Sequence, residues 1–455
     1  MDKTRREAIK DVLGIGTVAA VAGCAGAKMK LTSSAGAPMQ GFAAPKMEKV
    51  RVGVVGLGYR GGWAAERLAK VPGIEVTALC EVRAKQLDKA VAANVAHYGR
   101  RPEVYSGDEG YRALCDSPNV DVVYNCTPWH LHSSVGACAM KSGKHAMIEV
   151  PAAMTLDECW ELVETSEATR RHCMQLENCC YGEEELLFLN LCRKGLLGEI
   201  IHGEGAYIHD RRRSIFFDDQ WQRWRSKWNQ VHAGNQYSTH GLGPVCEYMN
   251  VNRGDRLDYL VSVDSHQAGY ERYAKLTLPE GDPQRKLRFA MADMNVTTIR
   301  TVLGRTIMLQ HDVSTPRPYS RLNLIAGTQG VARSFPRLDI FLEKEVSREP
   351  RSHKFAEAET ERIRKEFMHP LWRQTSERAK EIGGHGGMDF IMDLRWSWCL
   401  RNGLPMDTDV YDLAAWCSVN ELSERSARSR SAPMDIPDFT RGGWKVAKPL
   451  GIVTC

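Results

Sequence analysis

Val50-Arg51-Val52-Gly53-Val54-Val55 runs directly into Gly56-Leu57-Gly58-Tyr59-Arg60-Gly61. The first six residues are mostly apolar and β-branched, the pattern of a strand buried on both faces of a parallel sheet. The next six spell G-x-G-x-x-G where that strand ends and a helix opens. Gly56 permits the tight turn, Gly58 lets backbone approach a pyrophosphate, and Gly61 lets the helix pack on the strand. Free N–H groups and the dipole at the helix amino end favour the anion. Glu81 ends a second strand, 25 residues after Gly56. An acidic side chain there binds ribose hydroxyls and repels a 2′-phosphate, so the cofactor expected is NAD rather than NADP. Arg83 argues the other way, because a nearby guanidinium accepts that phosphate.

Outward from this turn the same texture continues. Residues 75–79, 120–126 and 145–148 read as strands with helices between them, the mark of a doubly wound parallel sheet. Residues 157–171 read as a helix and 174–176 as a strand. Runs at 200–207, 259–263 and 296–309 read as strands of a second, largely antiparallel sheet. Residues 352–380 are charged and helical, 388–400 and 408–425 read as helices that pack back, and 426–431 as a solvated connection. The fold class is α/β plus α+β. A dinucleotide-binding domain spans 49–172, a substrate domain built on a mostly antiparallel sheet spans 173–430, and a tail covers 431–455.

Composition bounds the function. In 455 residues, 43% are apolar and 26% charged, ordinary for a globular chain with a full core. The net charge of +5, from 61 basic and 56 acidic residues, is too even for a dedicated nucleic-acid surface. Fourteen cysteines show no C-x-x-C pair and no zinc-type spacing, so no metal site is expected and the thiols read as small buried hydrophobes.

Thr4-Arg5-Arg6-Glu7-Ala8-Ile9-Lys10 resembles a twin-arginine export signature, and Val21-Ala22-Gly23-Cys24 resembles a lipobox. Residues 1–24 are therefore expected to be a signal and 25–48 a tether. The apolar stretch 12–23 is too short to span a bilayer. The expected location is exported, periplasmic or membrane-anchored, with membrane contact only through a lipid on Cys24. The twin-arginine route carries folded, cofactor-loaded proteins, which reconciles export with reduced cysteines.

Asn125-Cys126-Thr127-Pro128-Trp129-His130-Leu131-His132 and Gly143-Lys144-His145-Ala146-Met147-Ile148-Glu149-Val150-Pro151, with the glycine turn, resemble the glucose-fructose oxidoreductase, inositol dehydrogenase and rhizopine-catabolism family. The resemblance implies a Rossmann domain followed by a sheet domain. Dehydrogenases of that family carry Glu-Lys-Pro where this chain has Glu149-Val150-Pro151. Valine cannot move a proton, which argues against a lysine-assisted alcohol dehydrogenase.

Gly234-Asn235-Gln236-Tyr237-Ser238-Thr239-His240-Gly241-Leu242-Gly243-Pro244-Val245 is similar to glycoside hydrolase family 109, the NAD-dependent α-N-acetylgalactosaminidases. Leu176-Glu177-Asn178-Cys179-Cys180-Tyr181, Gly205-Ala206-Tyr207-Ile208-His209-Asp210, Trp224-Arg225 and Tyr319 support it. The resemblance implies oxidation at C-3 of the sugar, loss of the C-2 proton, departure of the aglycone, water addition and re-reduction, with tightly held NAD regenerated each cycle.

Tyr237 and His240 are three apart and would share one face of a helical turn. Imidazole suits acid/base work near neutrality, so His240 is the expected acid/base, with Tyr237 and Tyr181 as catalytic partners. Tyr207, Arg225, Ser238, Thr239 and Tyr319, with Tyr237 and His240, are expected on the sugar. Tyr59, Arg60, Asn125, Trp129, His132, Glu149, Val150, Asn178 and Tyr237 are expected on the cofactor with Gly56, Gly58, Gly61 and Glu81. The partner is a small glycoside or glycan terminus, and oligomerisation is left open. Alternatives are a sugar or cyclitol dehydrogenase of the same fold and a non-catalytic sugar-binding lipoprotein. Trp224 and Trp228, with Trp221, recur at helical spacing and read as packing. His385, in a glycine-rich loop, reads either as a cap or as a site residue.

Overall fold

The computed structural model describes residues 37–218, 223–343 and 354–455. The expected signal with Cys24, the tether up to residue 36, and Trp221 lie outside the described residues.

Six parallel strands, β1 (Val50–Val55), β2 (Ile74–Cys80), β3 (Glu103–Tyr105), β4 (Val122–Asn125), β5 (His145–Ile148) and β6 (Cys173–Gln175), lie in the order β3-β2-β1-β4-β5-β6. Helices connect successive strands, and the order reverses beside β1, where such sheets open a ligand crevice at their carboxyl ends. The sheet runs to residue 175, three past the expected domain boundary. A three-residue strand carries too little periodicity to mark its own end.

The second sheet has eight strands: β7 (Ile200–Ile208), β8 (Leu257–Asp264), β9 (Asn295–Thr301), β10 (Thr306–Asp312), β11 (Leu324–Gly327), β12 (Gly330–Arg333), β13 (Asp339–Leu342) and β14 (Met434–Asp435). Their order is β13-β12-β11-β7-β10-β9-β8-β14. Pairing is antiparallel except between β7 and β10. The run read as one strand over 296–309 is a hairpin, turned at Gly304 with φ +88°. Apolar alternation continues through both arms, so only the Gly marks the turn.

The chain ends are integrated. Met39 and Ala44, in the expected tether, are buried, and Met39 N–H donates to the Tyr411 hydroxyl at 3.1 Å. Residues 434–435 add strand β14 and Phe439 is buried, so the expected tail completes the sheet. The charged segment breaks into helices Glu357–Phe367 and Pro370–Ile382, because proline is tolerated at a helix start and not inside. The helix Val410–Arg428, capped by Asp409, runs past its expected end. Ser426, read as solvated, is buried, and its hydroxyl donates to the Ala432 carbonyl at 2.8 Å.

Two glycines set the approach of the second domain's helix Thr239–Met249 to β7. A Cβ on Gly205 would overlap the Gly241 backbone, and one on Gly241 would overlap Ala206. Backbone therefore lies directly on backbone and brings His240 beside Tyr207. Among the described residues no helix is long and apolar enough to cross a membrane, and the thirteen described cysteines are all free thiols.

Candidate active site

The glycine turn has the geometry of its motif. Gly56 has φ +83°, and a Cβ on it would lie 2.8 Å from the Cys126 carbonyl. A Cβ on Gly61 would overlap the Gly56 oxygen. Gly58 is the amino cap of the helix Tyr59–Leu68, which has no side-chain cap and no acidic residue in its first turn. Its first amides are left without an intrahelical partner, a fit for a pyrophosphate. Glu81 sits at the crevice, but its carboxylate also fastens the turn: Leu57 N–H donates to it at 2.7 Å, and Val82 and Arg83 N–H at 3.0 Å.

Of the residues expected on the cofactor, Arg60 and Asn178 converge on one the sequence did not flag, and Glu149 joins them through Arg60. Arg60 donates to Glu149 at 2.6 Å and to Asp389 at 2.7 Å, and Asn178 donates to Asp389 at 2.6 Å. His385 lies 3.0 Å from Asp389, so it joins this knot. Arg67 adds a second cation. Burial pushes the Asp389 carboxyl up, but Arg60, His385 and Arg67 overcome it and hold that group well below the usual carboxylate range. The guanidinium of Arg60 is thereby committed, leaving its backbone N–H for a phosphate. Asp389 is 329 residues from Arg60, and no local pattern announces such a pair.

Two cofactor residues are corrected. Asn125 is fully buried; its amide donates to the His132 carbonyl, and its oxygen accepts from Thr127 N–H and hydroxyl. Both ring nitrogens of His132 lie 2.7 Å from backbone oxygens, those of Pro151 and Thr127. These side-chain bonds shape the loop after β4 rather than reach toward a ligand. Trp129 and Val150 are buried, and Trp129 lines the pocket shared with Tyr207 and Tyr237. Tyr59 is 78% exposed and its ring lies tilted against Trp63, 4.3 Å centre to centre.

The aromatic and acid/base residues gather across from Trp129. His240 lies 4.9 Å from Tyr237 and 5.6 Å from Tyr207, ring to ring, and the two tyrosines are 4.3 Å apart. Tyr237 precedes the helix rather than lying on it, so a turn, not helical spacing, brings it to His240. Trp129 lies 5.7 Å from Tyr237, and Arg225 covers Trp129 at 4.4 Å. Trp224 and Trp228 pack edge-on against Trp129. The Tyr207 hydroxyl is 3.1 Å from His209, whose ring meets Tyr319 at the rim. Burial raises the Tyr207 and Tyr237 phenols, keeping both neutral as donors.

Three site residues are corrected. Tyr181 is buried and its hydroxyl donates to Asp407 at 3.1 Å, beside Arg395, which makes it a core anchor. The Ser238 hydroxyl donates to the Trp416 carbonyl at 3.0 Å, and Thr239 is fully buried. The Ser238 bond steadies the helix start that carries His240.

Glu177 is the residue missed. Its Oε1 lies 2.6 Å from His240 Nδ1. Burial raises that carboxyl, but the charge and hydrogen bond of His240 outweigh it and hold it below its ordinary value. An ionised carboxylate only accepts, so Nδ1 carries the hydrogen and Nε2 is the basic nitrogen. Cys179 completes a cluster whose donor atoms lie within 4.8 Å. Burial holds its thiol protonated, well above its ordinary range, which favours a His–Glu pair over a metal centre. Glu177→Gln is expected to lower kcat about 10–100-fold with little change in KM, because the amide also offers a donor and loosens the tautomer. An unchanged kcat and pH profile would remove Glu177 from the machinery.

A Rossmann sheet with an open pyrophosphate turn, joined to a second domain whose helix Thr239–Met249 brings His240 onto Glu177 just past β6, defines a protein of the NAD-binding Rossmann class. Residues 50–176 match the oxidoreductase family with NAD-binding Rossmann fold. Residues 181–446 match the C-terminal domain of glycosyl hydrolase 109. A glycosyl hydrolase family 109 protein of Shewanella putrefaciens is 46% identical over 91% of this chain and 90% of its own. A relative from Shewanella oneidensis named alpha-N-acetylgalactosaminidase is 46% identical over 92% and 91%. The chain belongs to glycoside hydrolase family 109. Solved structures share the fold: a levoglucosan dehydrogenase with NADH and levoglucosan has TM-score 0.63 at 18% identity over 86% of this chain and 100% of its own. Scyllo-inositol dehydrogenase of Lactobacillus casei has TM-score 0.60 at 13% over 85% and 99%.

Proposed function

We propose that this glycoside hydrolase cleaves terminal α-N-acetylgalactosaminides by oxidation, elimination, water addition and re-reduction, with one tightly held NAD serving successive turnovers. The observation that carries the reading is the Glu177–His240 pair beside Tyr237 and Trp129, with Val150 where a lysine would serve a plain dehydrogenase. The Shewanella oneidensis relative supports the substrate class. Gly56, Gly58 and Gly61 with Glu81 would hold NAD, which would supply reversible hydride chemistry at C-3. His240 Nε2 takes a proton, and Glu177 steadies the imidazolium that results. Tyr237 and Tyr207 donate hydrogen bonds to sugar oxygens, and Arg225 forks onto others. The twin-arginine-like start and Cys24 support an exported site of action.

The purified protein is expected to release near-stoichiometric NAD on denaturation; no dinucleotide, and none bound on titration, would overturn the cofactor reading. Release of NADP would mean that Arg83 outweighs Glu81. Hydrolysis of p-nitrophenyl α-N-acetylgalactosaminide in D₂O is expected to place deuterium at C-2 of the released sugar, because elimination breaks that C–H bond. Displacement by paired carboxylates leaves C-2 unlabelled. Stoichiometric NADH with an uncleaved substrate would instead indicate a dehydrogenase.

A further inference from the structure

The pocket beside Tyr207 and Tyr237 is lined by two arginines, Arg225 and Arg211, with Trp129 and His311, and Arg225 lies over the Trp129 ring at 4.4 Å, near enough to Arg211 to feel its charge. Among the described residues neither guanidinium has a carboxylate partner or a hydrogen-bond acceptor. The nearby carboxylates are committed elsewhere. Asp210 accepts from Arg212 at 2.7 Å, Asp218 faces Arg213 at 3.5 Å, and Asp312 accepts from the Thr315 hydroxyl at 2.6 Å and faces Arg317 at 3.7 Å. Glu177 is held by His240 and Glu149 by Arg60.

The other groups around the cations supply no negative charge. Tyr207 and Tyr237 are neutral phenols, and His311 is a neutral imidazole pushed down to about 3, first by burial and then by Arg225. Burial lowers the Arg225 pKa too, and the positive Arg211 adds to that lowering. Two like charges held close together without counter-charge are costly when withdrawn from water. One arginine suffices to fork onto the oxygens of a neutral sugar; a second gains little from hydroxyls but much from an anion, through charge-assisted bidentate bonds.

We propose that Arg211 and Arg225 form an anion subsite, and that the preferred substrate is a glycoside whose sugar carries a carboxylate or a sulfate ester. The inference rests on the glycosidase reading for the word substrate, and on the pocket alone for the anion.

The test is calorimetric titration of the NAD-loaded protein with N-acetylgalactosamine, its 6-sulfate and the corresponding uronate. The two anionic sugars separate the sulfate and carboxylate sources. At least one is expected to bind about tenfold or more tightly than the neutral sugar, the scale of a hydrogen bond to a charged group. That ratio is expected to shrink toward one in Arg211→Gln, to recover in part in Arg211→Lys, and to fall with added salt. A wild-type ratio at or below one, failure of both anionic sugars to bind, or a ratio unmoved by Arg211→Gln would overturn the proposal. Hydrolysis of the p-nitrophenyl α-glycosides of the same sugars is measured separately. Loss of all cleavage with the binding ratio intact would sink the glycosidase reading and leave the anion subsite standing.

Discussion

Replacing His240 with alanine is expected to lower kcat by about 10²–10⁴-fold, the usual worth of a positioned acid/base. NAD retention is expected to stay intact, because His240 stands on the helix Thr239–Met249 of the second domain and has no bond to the glycine turn. The removed ring is half of a 2.6 Å pair, so Glu177 would remain as a buried carboxylate without its main donor. Some loss of stability therefore accompanies the loss of rate, and activity is best compared per folded, NAD-loaded molecule. His240→Gln keeps a donor for Glu177 but no titrating nitrogen. It is expected to recover stability without recovering rate. A loss below about threefold in either variant would relegate His240 to structure, since a proton-transfer group at the reacting carbon cannot be that dispensable.

Asp389→Ala is the largest expected change in stability, about 3–5 kcal/mol in urea unfolding at pH 7, the range for breaking a buried ion pair by deleting one partner. Asp389 is 1% exposed and faces Arg60 and Arg67, the latter 5% exposed. Its removal also frees the Asn178 amide and His385. The pH dependence follows from the depressed carboxyl. Asp389 contributes its full stabilisation above the ordinary carboxylate value near 3.9 and loses it as pH falls through its lower folded value. The gap between wild type and variant is thus expected to be level at neutral pH and to close only in acid. Because Arg60 follows Tyr59 in the glycine turn and is tied to Glu149, the variant is also expected to hold NAD more weakly. A destabilisation under about 1 kcal/mol would show that Arg60 and Arg67 find other partners at little cost.

Much of this architecture was legible in the chain alone. The strand-to-helix turn at Gly56, Gly58 and Gly61 is local chemistry: each glycine answers a steric demand from residues close in sequence or on the adjoining strand. The period-two runs located the second sheet, and the grouping of Tyr207, Tyr237, His240 and Arg225 followed from recognisable motifs. Boundaries were less secure, because short strands such as β6 and β14 carry little pattern of their own.

The sequence by itself determined the class of each domain and the cofactor turn, and it singled out His240 as a candidate, since these depend on short-range periodicity and on side-chain chemistry. Only the tertiary structure decided which polar residues are free to act. It turned Tyr181 onto Asp407, closed His132 between two carbonyls and committed Arg60 to Asp389. It also joined Glu177 to His240 and left Arg211 beside Arg225 without a carboxylate among the described residues. The reason is physical: a buried polar group takes whichever partner the packing brings within about 3 Å. When that partner lies tens or hundreds of residues away, nothing in the local pattern records the choice.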